Sequence, residues 1–431
     1  MRPSKFNYYV KDTNTDTHII MNGVSENSIR VSNVNFDSIS RIINYPDDNY
    51  SQYSKFIDTM LDYGLIIRDE VDESDLIKKK YKENCRENEF SIMILPTYQC
   101  NVRCWYCIQN HSDMWMEDSV VNNIKARIEK ALNDVEIDTL CLFWFGGEPL
   151  LCYDNVLSLT KWARVKAYNA GKKFNCSITS NGTLLNKERI SALREAGVGS
   201  YQISIDGQRS VHDKVKQLGK CSAFDKTMEN IGEIIQHTSC TLRLNYTKEN
   251  LQPEEIINDI DSSLPKSGRG NLTFLIYKVW QEESCGIDDN LVVRLSELAM
   301  SIGLVPRYAV LGMCYTDQKH FECIFPNGRV GKCDNLEPED SPGLLIPGGN
   351  IRWIGDISSY KTIVNTEANE CHTCKYLPLC WGPCMAKRNL MLQHKGQIWC
   401  QFDDKEKEIH QLIINEHRNR EYTNRIIQNH V

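Results

Sequence analysis

The sequence predicts an α/β protein built on a run of six strand–helix units. Three observations carry that prediction. From Ser91 onward short apolar stretches alternate with stretches of helical periodicity, clusters of Gly, Asn and Asp follow the strand candidates, and a cysteine group follows the first strand in the same way. Alternation of this kind implies a parallel sheet, either doubly wound or a partial barrel.

Before that run, residues 5–85 have a different texture. Three strand candidates (Phe6–Val10, His18–Met21, Ser28–Val31) are broken by Asn, Asp and Gly turns. Helical stretches follow at Phe36–Ile43 and Gln52–Asp62, the second stopping at Gly64. A charged segment, Asp69–Arg86, reads as a linker, which makes residues 1–86 a small α/β domain plus connection.

The strand candidates of the main run are Ile92–Leu95, Leu140–Phe145, Phe174–Ile178, Tyr201–Ile205, Thr241–Tyr246 and Leu272–Val279. Between them lie helical stretches at Val120–Leu132, Val156–Tyr168, Lys187–Ala196, Asp225–Ile235 and Pro253–Asp261. In the first of these the apolar residues fall at 120, 121, 124, 128 and 132, one face of a helix. This run occupies residues 87–304. After about residue 305 the alternation stops, and a region rich in Cys, Gly and Pro runs to residue 405 before a charged helical tail over 406–431.

Composition narrows the function. A chain of 431 residues is long enough for two or three domains. Lys+Arg 50 against Asp+Glu 57 gives a net charge of −7, and no basic tract interleaved with aromatics speaks for nucleic acid. Residues 1–10 lack a signal-peptide core, and no apolar run approaches the roughly 20 residues that span a bilayer. The expected location is the cytoplasm, where thiols stay reduced and grouped cysteines hold metal or do chemistry. There are 18 cysteines.

Active sites of barrels and open α/β sheets form at the carboxyl ends of the strands. Here Gly146-Gly147-Glu148-Pro149, Ser180-Asn181-Gly182 and Asp206-Gly207 each follow a strand, as does the group Cys100, Cys104 and Cys107, spaced C-x3-C-x2-C. Four clusters on one rim make a site. Three thiolates on one loop fit a cubane with one iron left open, since such clusters usually take four; a zinc knuckle with a distant fourth ligand is the alternative.

The second group is Cys371, Cys374, Cys380 and Cys384, with Cys400 beyond, in a segment of little regular structure. Metal ligation would give such a loop the folding energy a core cannot. Zinc is again the alternative. Upstream lie Cys314, Cys323 and Cys333, the last two flanking an expected hairpin with its turn at Pro326-Asn327-Gly328. Eight cysteines in this region suffice for two four-thiolate sites. The remaining seven (Cys85, Cys141, Cys152, Cys176, Cys221, Cys240, Cys285) are isolated, and Cys141 and Cys176 read as core residues.

These residues resemble a known family. The C-x3-C-x2-C loop with an aromatic before its last cysteine, followed by Gly-Gly-Glu-Pro, is similar to the radical S-adenosylmethionine (SAM) superfamily, and the pattern from Cys314 to Cys400 is similar to its SPASM extension. The resemblance covers about residues 90–405. It implies a partial (β/α)6 TIM-like barrel, a winged-helix-like leader-recognition domain ahead of it and a cysteine-rich SPASM domain after it. It further implies three [4Fe-4S] clusters and S-adenosylmethionine. Cys100, Cys104 and Cys107 would hold the cluster that chelates the cofactor. Tyr106 would line the adenine, Gly146, Gly147 and Glu148 the methionyl amino group, and Ser204 and Asn245 would contact the cofactor, with Ser180 and Asn181 of the neighbouring rim cluster placed in the same site. Lys216 stands near where relatives carry an arginine for the cofactor carboxylate, and a lysine keeps that charge without the bidentate fork. By analogy one auxiliary cluster takes Cys314, Cys323, Cys333 and Cys384, and the other Cys371, Cys374, Cys380 and Cys400. Asp334 matches a proposed base of sulfatase-maturing enzymes, with a turn-capping Asp as the alternative. Trp105, Trp144 and Trp381 read as packing around clusters.

The resemblance implies an electron from a flavodoxin- or ferredoxin-like donor, reductive cleavage of the cofactor, and hydrogen abstraction from a peptide by the 5′-deoxyadenosyl radical. The leading expectation is a maturase that crosslinks a ribosomally made peptide, captured through its leader at a sheet edge. A formylglycine-forming sulfatase maturase is the second. A non-enzymatic iron–sulfur carrier or zinc-stapled binding protein is the third, disfavoured by Gly-Gly-Glu-Pro and the open three-cysteine loop.

Overall fold

The computed structural model describes residues 1–279, 289–308, 312–354, 371, 373–395, 400–402 and 404–429. Cys285 lies outside the described residues. The chain divides into two compact units, one of Met1–Arg86, Val310–Gln318 and Ser359–Val431, the other of Glu87–Ala309 and Lys319–Ser358.

The first unit opens with β1 (Arg2–Pro3), then an antiparallel meander of β2 (Asn7–Asp12), β3 (Thr17–Asn22) and β4 (Ser28–Ser32). Helices α1 (Asn33–Asn44) and α2 (Pro46–Asp62) follow, and α2 ends just before Gly64 at φ +74. A two-residue strand, β5 (Ile66–Ile67), pairs with β1. Strand β3 is central and buried on both faces, so it reads as the continuous run His-Ile-Ile-Met rather than as an alternation. Ile20 and Val31 pack against Ile42, Ile43, Ile57 and Met60 of the helices. On the opposite face Tyr8, Val10, Ile19 and Met21 pack against Tyr376, Leu379, Ile409, Ile413 and Ile414.

The segment expected to be a linker is instead helix α3 (Glu73–Cys85). Asp72 caps it by accepting from the Ser74 N–H at 2.8 Å, and Glu73 and Asp75 suit the positive end of its dipole. Its apolar face is sparse, Ile77 and Cys85 being its buried apolar residues, which is why charge dominated the sequence pattern.

The second unit holds β6 (Glu89–Ile94), α4 (Asp118–Leu132), β7 (Thr139–Trp144), α5 (Tyr153–Asn169), β8 (Lys173–Ser180), α6 (Lys187–Ala196) and β9 (Ser200–Ile205). Next come α7 (Arg209–Val215), α8 (Ala223–Ile234), β10 (Ser239–Tyr246), α9 (Pro253–Ser263), β11 (Leu272–Lys278), α10 (Asp289–Ser301) and β12 (Val305–Tyr308). All six expected strands are present. Each pairs in parallel with the next in sequence, from β6 to β12. This singly wound order is that of a barrel wall, not of a doubly wound sheet, whose order reverses at a switch point.

The sheet extends beyond six strands at both edges. β12 adds one strand past residue 305, and β13 (Phe321–Ile324) joins β6 in parallel on the other side. β13 then leads into an antiparallel meander of β14 (Arg329–Gly331), β15 (Gly343–Ile346) and β16 (Asn350–Trp353), giving an eleven-stranded mixed sheet. The expected hairpin turn is there, with Gly328 at φ +78. The two extra strands were hidden because each is four residues long, one carrying Pro306 and the other Glu322 and Cys323. Helices and sheet share one apolar core, including Ile92, Leu142, Trp144, Ile178, Ile203, Leu242 and Phe274.

The chain then returns to the first unit with α11 (Met385–Lys395) and the long α12 (Lys405–Asn429). Arg418 of α12 pairs with buried Asp12 at 2.7 Å, and Arg388 of α11 pairs with buried Asp317 at 2.5 Å.

Candidate functional site

The loop after β6 carries Cys100, Cys104 and Cys107, and the structure shows why two glycines sit on the next strand's end. The Gly147 N–H donates to the Thr97 carbonyl at 3.0 Å, and the Glu148 N–H donates to the Gln99 carbonyl at 2.9 Å. At that approach a Cβ on Gly147 would stand 2.1 Å from the Gln99 carbonyl oxygen, and one on Gly146 would stand 2.7 Å from that of Thr97. Gly146 also has φ +130, in the region that favours glycine. The pair lets the β7 end carry the cysteine loop on its backbone.

Glu148 is fully buried. Its carboxylate accepts from the Ser180 hydroxyl at 2.9 Å, the Asn181 N–H at 2.9 Å and the Leu150 N–H at 3.1 Å. Burial raises its pKa, and the Asn181, Leu150 and Ser180 bonds oppose the rise. Asn181 in turn points its amide to Asn101 at 2.8 Å and to the Cys100 sulfur at 3.7 Å. Glu148, Ser180 and Asn181 thus form one polar bridge from β7 through β8 to the cysteine loop.

A second group gathers on the far side of the loop. Tyr106 donates its hydroxyl to Asp206 and accepts from Asn245 Nδ2 at 3.0 Å. Lys216, one residue past α7, is buried, and its ammonium donates to the Ser204 carbonyl at 2.5 Å and hydroxyl at 2.7 Å, with Asp206 at 3.5 Å. His212 Nδ1 lies 3.2 Å from the same carboxylate. Burial pushes the Asp206 carboxyl up, but Lys216, the His212 contact and the Tyr106 hydroxyl outweigh it, leaving a pKa of about 2. Tyr106 and Lys216 therefore meet at Asp206, which the sequence offered only as a strand-end residue, and Asn245 and Ser204 join the same network through them.

The three loop thiols fit an iron–sulfur cluster by their chemistry. None of the described cysteines is in a disulfide. Burial pushes the Cys104 thiol up to about 11 and raises Cys100 and Cys107 as well, so ligation here must release protons. Among the described residues no three metal-ligating side chains converge as around a single ion. A cubane makes no such demand, because each thiolate meets a different iron.

In the first unit Cys371, Cys374, Cys380 and Cys400 line one cavity, together with Tyr376 and Gln401, whose amide reaches the Cys380 sulfur at 3.3 Å. Four thiols facing one cavity fit a closed four-thiolate site. Cys384 lies close enough to Cys314 for its charge to help raise the Cys314 thiol, after burial. In the second unit fully buried Cys323 pairs across the hairpin with Gly331 and feels the charges of Asp334 and Cys333. Asp334 is half-buried and also acts on Tyr98, in the stem of the cysteine loop.

Of the tryptophans, Trp144 is core, donating to the Thr160 hydroxyl at 2.9 Å, and Trp381 is buried beside Phe6 and Ile77. Trp105 is 62% exposed, with its ring edge-on to Tyr106 of the loop at 5.5 Å between centroids. Sequence reasoning missed His111, whose Nε2 lies 3.1 Å from the Cys107 sulfur. The signal was slight: a histidine four residues past the last cysteine of the loop.

Thiols on a strand-end loop, backed by a glycine pair and a buried carboxylate bridge, thus gather on the rim of a barrel-type sheet. Residues 94–260 match the radical SAM superfamily, so the chain carries a radical SAM domain. Fe-coproporphyrin III synthase of Methanosarcina barkeri is 28% identical over 167 residues, covering 38% of this chain and 39% of that protein. A cysteine-type anaerobic sulfatase-maturating enzyme of Clostridium novyi is 32% identical over 157 residues, covering 33% of this chain and 39% of that protein. The chain thus matches well under two thirds of the length of either relative. Among solved structures, anSMEcpe with bound AdoMet superposes with a TM-score of 0.55 at 15% identity, over 78% of this chain and 99% of that one. SuiB of Streptococcus suis bound to precursor peptide SuiA gives a TM-score of 0.51 at 15% identity, over 93% of this chain and all of that one. At that identity these likenesses show the fold. Among the described residues no helix is long and apolar enough to cross a membrane.

Proposed function

We propose that this chain is a radical SAM maturase that modifies a ribosomally made peptide, forming a thioether, ether or carbon–carbon crosslink. The observation that carries the reading is that one unit has a three-thiol loop and the other a cavity lined by four thiols. SuiB, whose fold extends along 93% of this chain, was solved with a precursor peptide, which supports a peptide substrate here.

When bound, the cluster and S-adenosylmethionine supply reductive cleavage and hydrogen abstraction. The chain's own residues bind and orient. Cys100, Cys104 and Cys107 hold the cluster; Gly146, Gly147 and Glu148 fix the loop's height above the sheet. Tyr106, Ser204, Asn245 and Lys216 shape the cofactor side of the rim around Asp206. Cys371, Cys374, Cys380 and Cys400 hold one auxiliary cluster, and Cys314, Cys323, Cys333 and Cys384 a second. In this reading residues 1–86 recognise the leader, residues 305–405 form the SPASM domain, and a flavodoxin- or ferredoxin-type protein of the cytoplasm donates the electron.

The second reading, a formylglycine-forming maturase with Asp334 as its base, is favoured by the 32% identity to the sulfatase-maturating relative. One experiment separates them. Reconstituted enzyme, cofactor and dithionite are incubated either with a synthetic sulfatase-type Cys peptide or with short peptides encoded beside this chain, each with and without its leader. Leader-dependent loss of two hydrogens without an aldehyde supports the crosslinking maturase. A hydrazide-reactive aldehyde on the Cys peptide supports the other reading and defeats this one.

A further inference from the structure

Two kinds of hydrogen bond reach the Cys107 sulfur. One is generic: the backbone N–H of Gln109 turns back onto it, as in many metal loops. The other comes from a side chain. His111 Nε2 stands 3.1 Å from the same sulfur. The backbone that places it is unusual, since His111 has φ +55, a left-handed conformation that costs a residue with a Cβ about 1–2 kcal/mol.

Other contacts hold it there. The His111 carbonyl accepts from Gln99 Nε2 at 2.8 Å, and Gln99 Oε1 accepts from Arg103 Nη2 at 3.3 Å. The Gln99 N–H is itself tied to the Thr97 hydroxyl at 3.0 Å. Gln99 immediately precedes Cys100, so the start of the loop fixes the residue that reaches its last cysteine. Backbone held in a sparsely populated conformation by its surroundings is a feature of functional sites.

We infer that His111 is a positioning residue that donates a hydrogen bond from Nε2 to the Cys107 thiolate and thereby raises the reduction potential of the cluster held by Cys100, Cys104 and Cys107. The inference rests on the reading of that loop as the cluster ligand. The direction of the bond follows from chemistry: a ligating thiolate has lone pairs and no proton, so a nitrogen at this distance keeps its contact only as an N–H donor. The sign of its effect follows from charge. A donor at the sulfur favours the state with the extra electron, and hydrogen bonds to cluster sulfurs are among the levers that set cluster potentials.

The test uses full-length protein reconstituted anaerobically as wild type, His111→Ala, His111→Gln and the Cys100/Cys104/Cys107→Ala variant. Iron and sulfide are counted first. The spin signal absent from the triple variant is then followed through a redox titration. The expected result is unchanged iron in His111→Ala, with the ratio of reduced to oxidised cluster at a fixed potential falling about tenfold, or about 59 mV for one electron. His111→Gln, whose amide N–H can reach the same place, recovers most of that shift. A wild-type titration curve in His111→Ala overturns the inference, as does a shift in His111→Gln equal to that in His111→Ala. If His111→Ala loads no cluster, wild type grown on 15N-histidine decides by pulsed spin resonance. Weak coupling to one ring nitrogen supports the bond; no coupling, or the strong coupling of a directly ligated nitrogen, overturns it. A wild type lacking the signal altogether defeats the cluster assignment, and this inference with it.

Discussion

Gly147→Ala is the sharpest perturbation of the cysteine loop, because its effect can be worked from the backbone. The added methyl would lie 2.1 Å from the Gln99 carbonyl oxygen and 2.5 Å from that of Tyr98. Both obstacles are main chain, so relief requires the loop or the β7 end to move. Such overpacking costs about 1–3 kcal/mol. The move also lengthens the bonds to Thr97 and Gln99, at 3.0 and 2.9 Å, each worth about 1 kcal/mol. Because the displaced segment leads straight into Cys100, the consequence is misplacement of the loop rather than global unfolding. A shift near 1 Å costs on the order of 10²-fold in a positioned reaction, and that is the predicted fall in cofactor cleavage. The assay is single-turnover formation of 5′-deoxyadenosine in reconstituted enzyme, with iron counted in the same sample. Gly270→Ala is the control, since a Cβ there meets nothing within 4 Å. Gly147→Ala cleaving the cofactor within about twofold of wild type, far short of the loss expected from misplacement, would refute the argument that the glycine pair sets the loop's position.

Three further predictions concern the scaffold. Arg388→Met leaves Asp317 buried and unpaired, and breaking such a pair costs about 3–5 kcal/mol, readable as a lower midpoint in urea. Asp206, whose pKa is held near 2, contributes stability that is complete above the ordinary carboxylate range and is lost as the pH falls through about 2. Lys216→Met removes the main stabiliser of that charge, so acid unfolding of the variant, followed by tryptophan fluorescence, should start at a higher pH than in wild type. Cys374→Ala should cost one auxiliary cluster and loosen the N-terminal sheet. Tyr8 stacks on Tyr376 at 5.1 Å and donates to the Lys375 carbonyl at 2.8 Å, so amide exchange at Tyr8–Val10 should quicken while β7–β9 stay protected.

Much of this architecture is legible in the sequence, for physical reasons. Buried parallel strands such as Leu140-Cys141-Leu142-Phe143 are continuous apolar runs, and the polar clusters behind them mark strand ends. Short or mixed segments escape that logic. Val305-Pro306-Arg307-Tyr308 gains strand geometry from pairing with β11, and α3 buries too few apolar residues to show a stripe. Contacts between distant residues leave no local trace: nothing in the sequence near Tyr8 announces Tyr376. The same holds within the site. The motif residues Tyr106, Ser204 and Asn245 are recognisable by pattern, but the network that links them to Asp206 through the Tyr106 hydroxyl and the buried Lys216 ammonium is a tertiary fact. His111 belongs with them, since its meaning depends on a left-handed backbone that the sequence does not declare.

The central claim is that Cys100, Cys104 and Cys107 hold a cluster that cleaves S-adenosylmethionine while the remaining grouped cysteines hold two more. Iron, acid-labile sulfide and 5′-deoxyadenosine, measured on wild type and on the Cys100/Cys104/Cys107→Ala variant after anaerobic reconstitution, test it most directly. The account predicts about 12 irons per chain falling to about 8 in the variant, with cofactor cleavage abolished. Unchanged cleavage in the variant, or about 4 irons in wild type with zinc in the remainder, would contradict it.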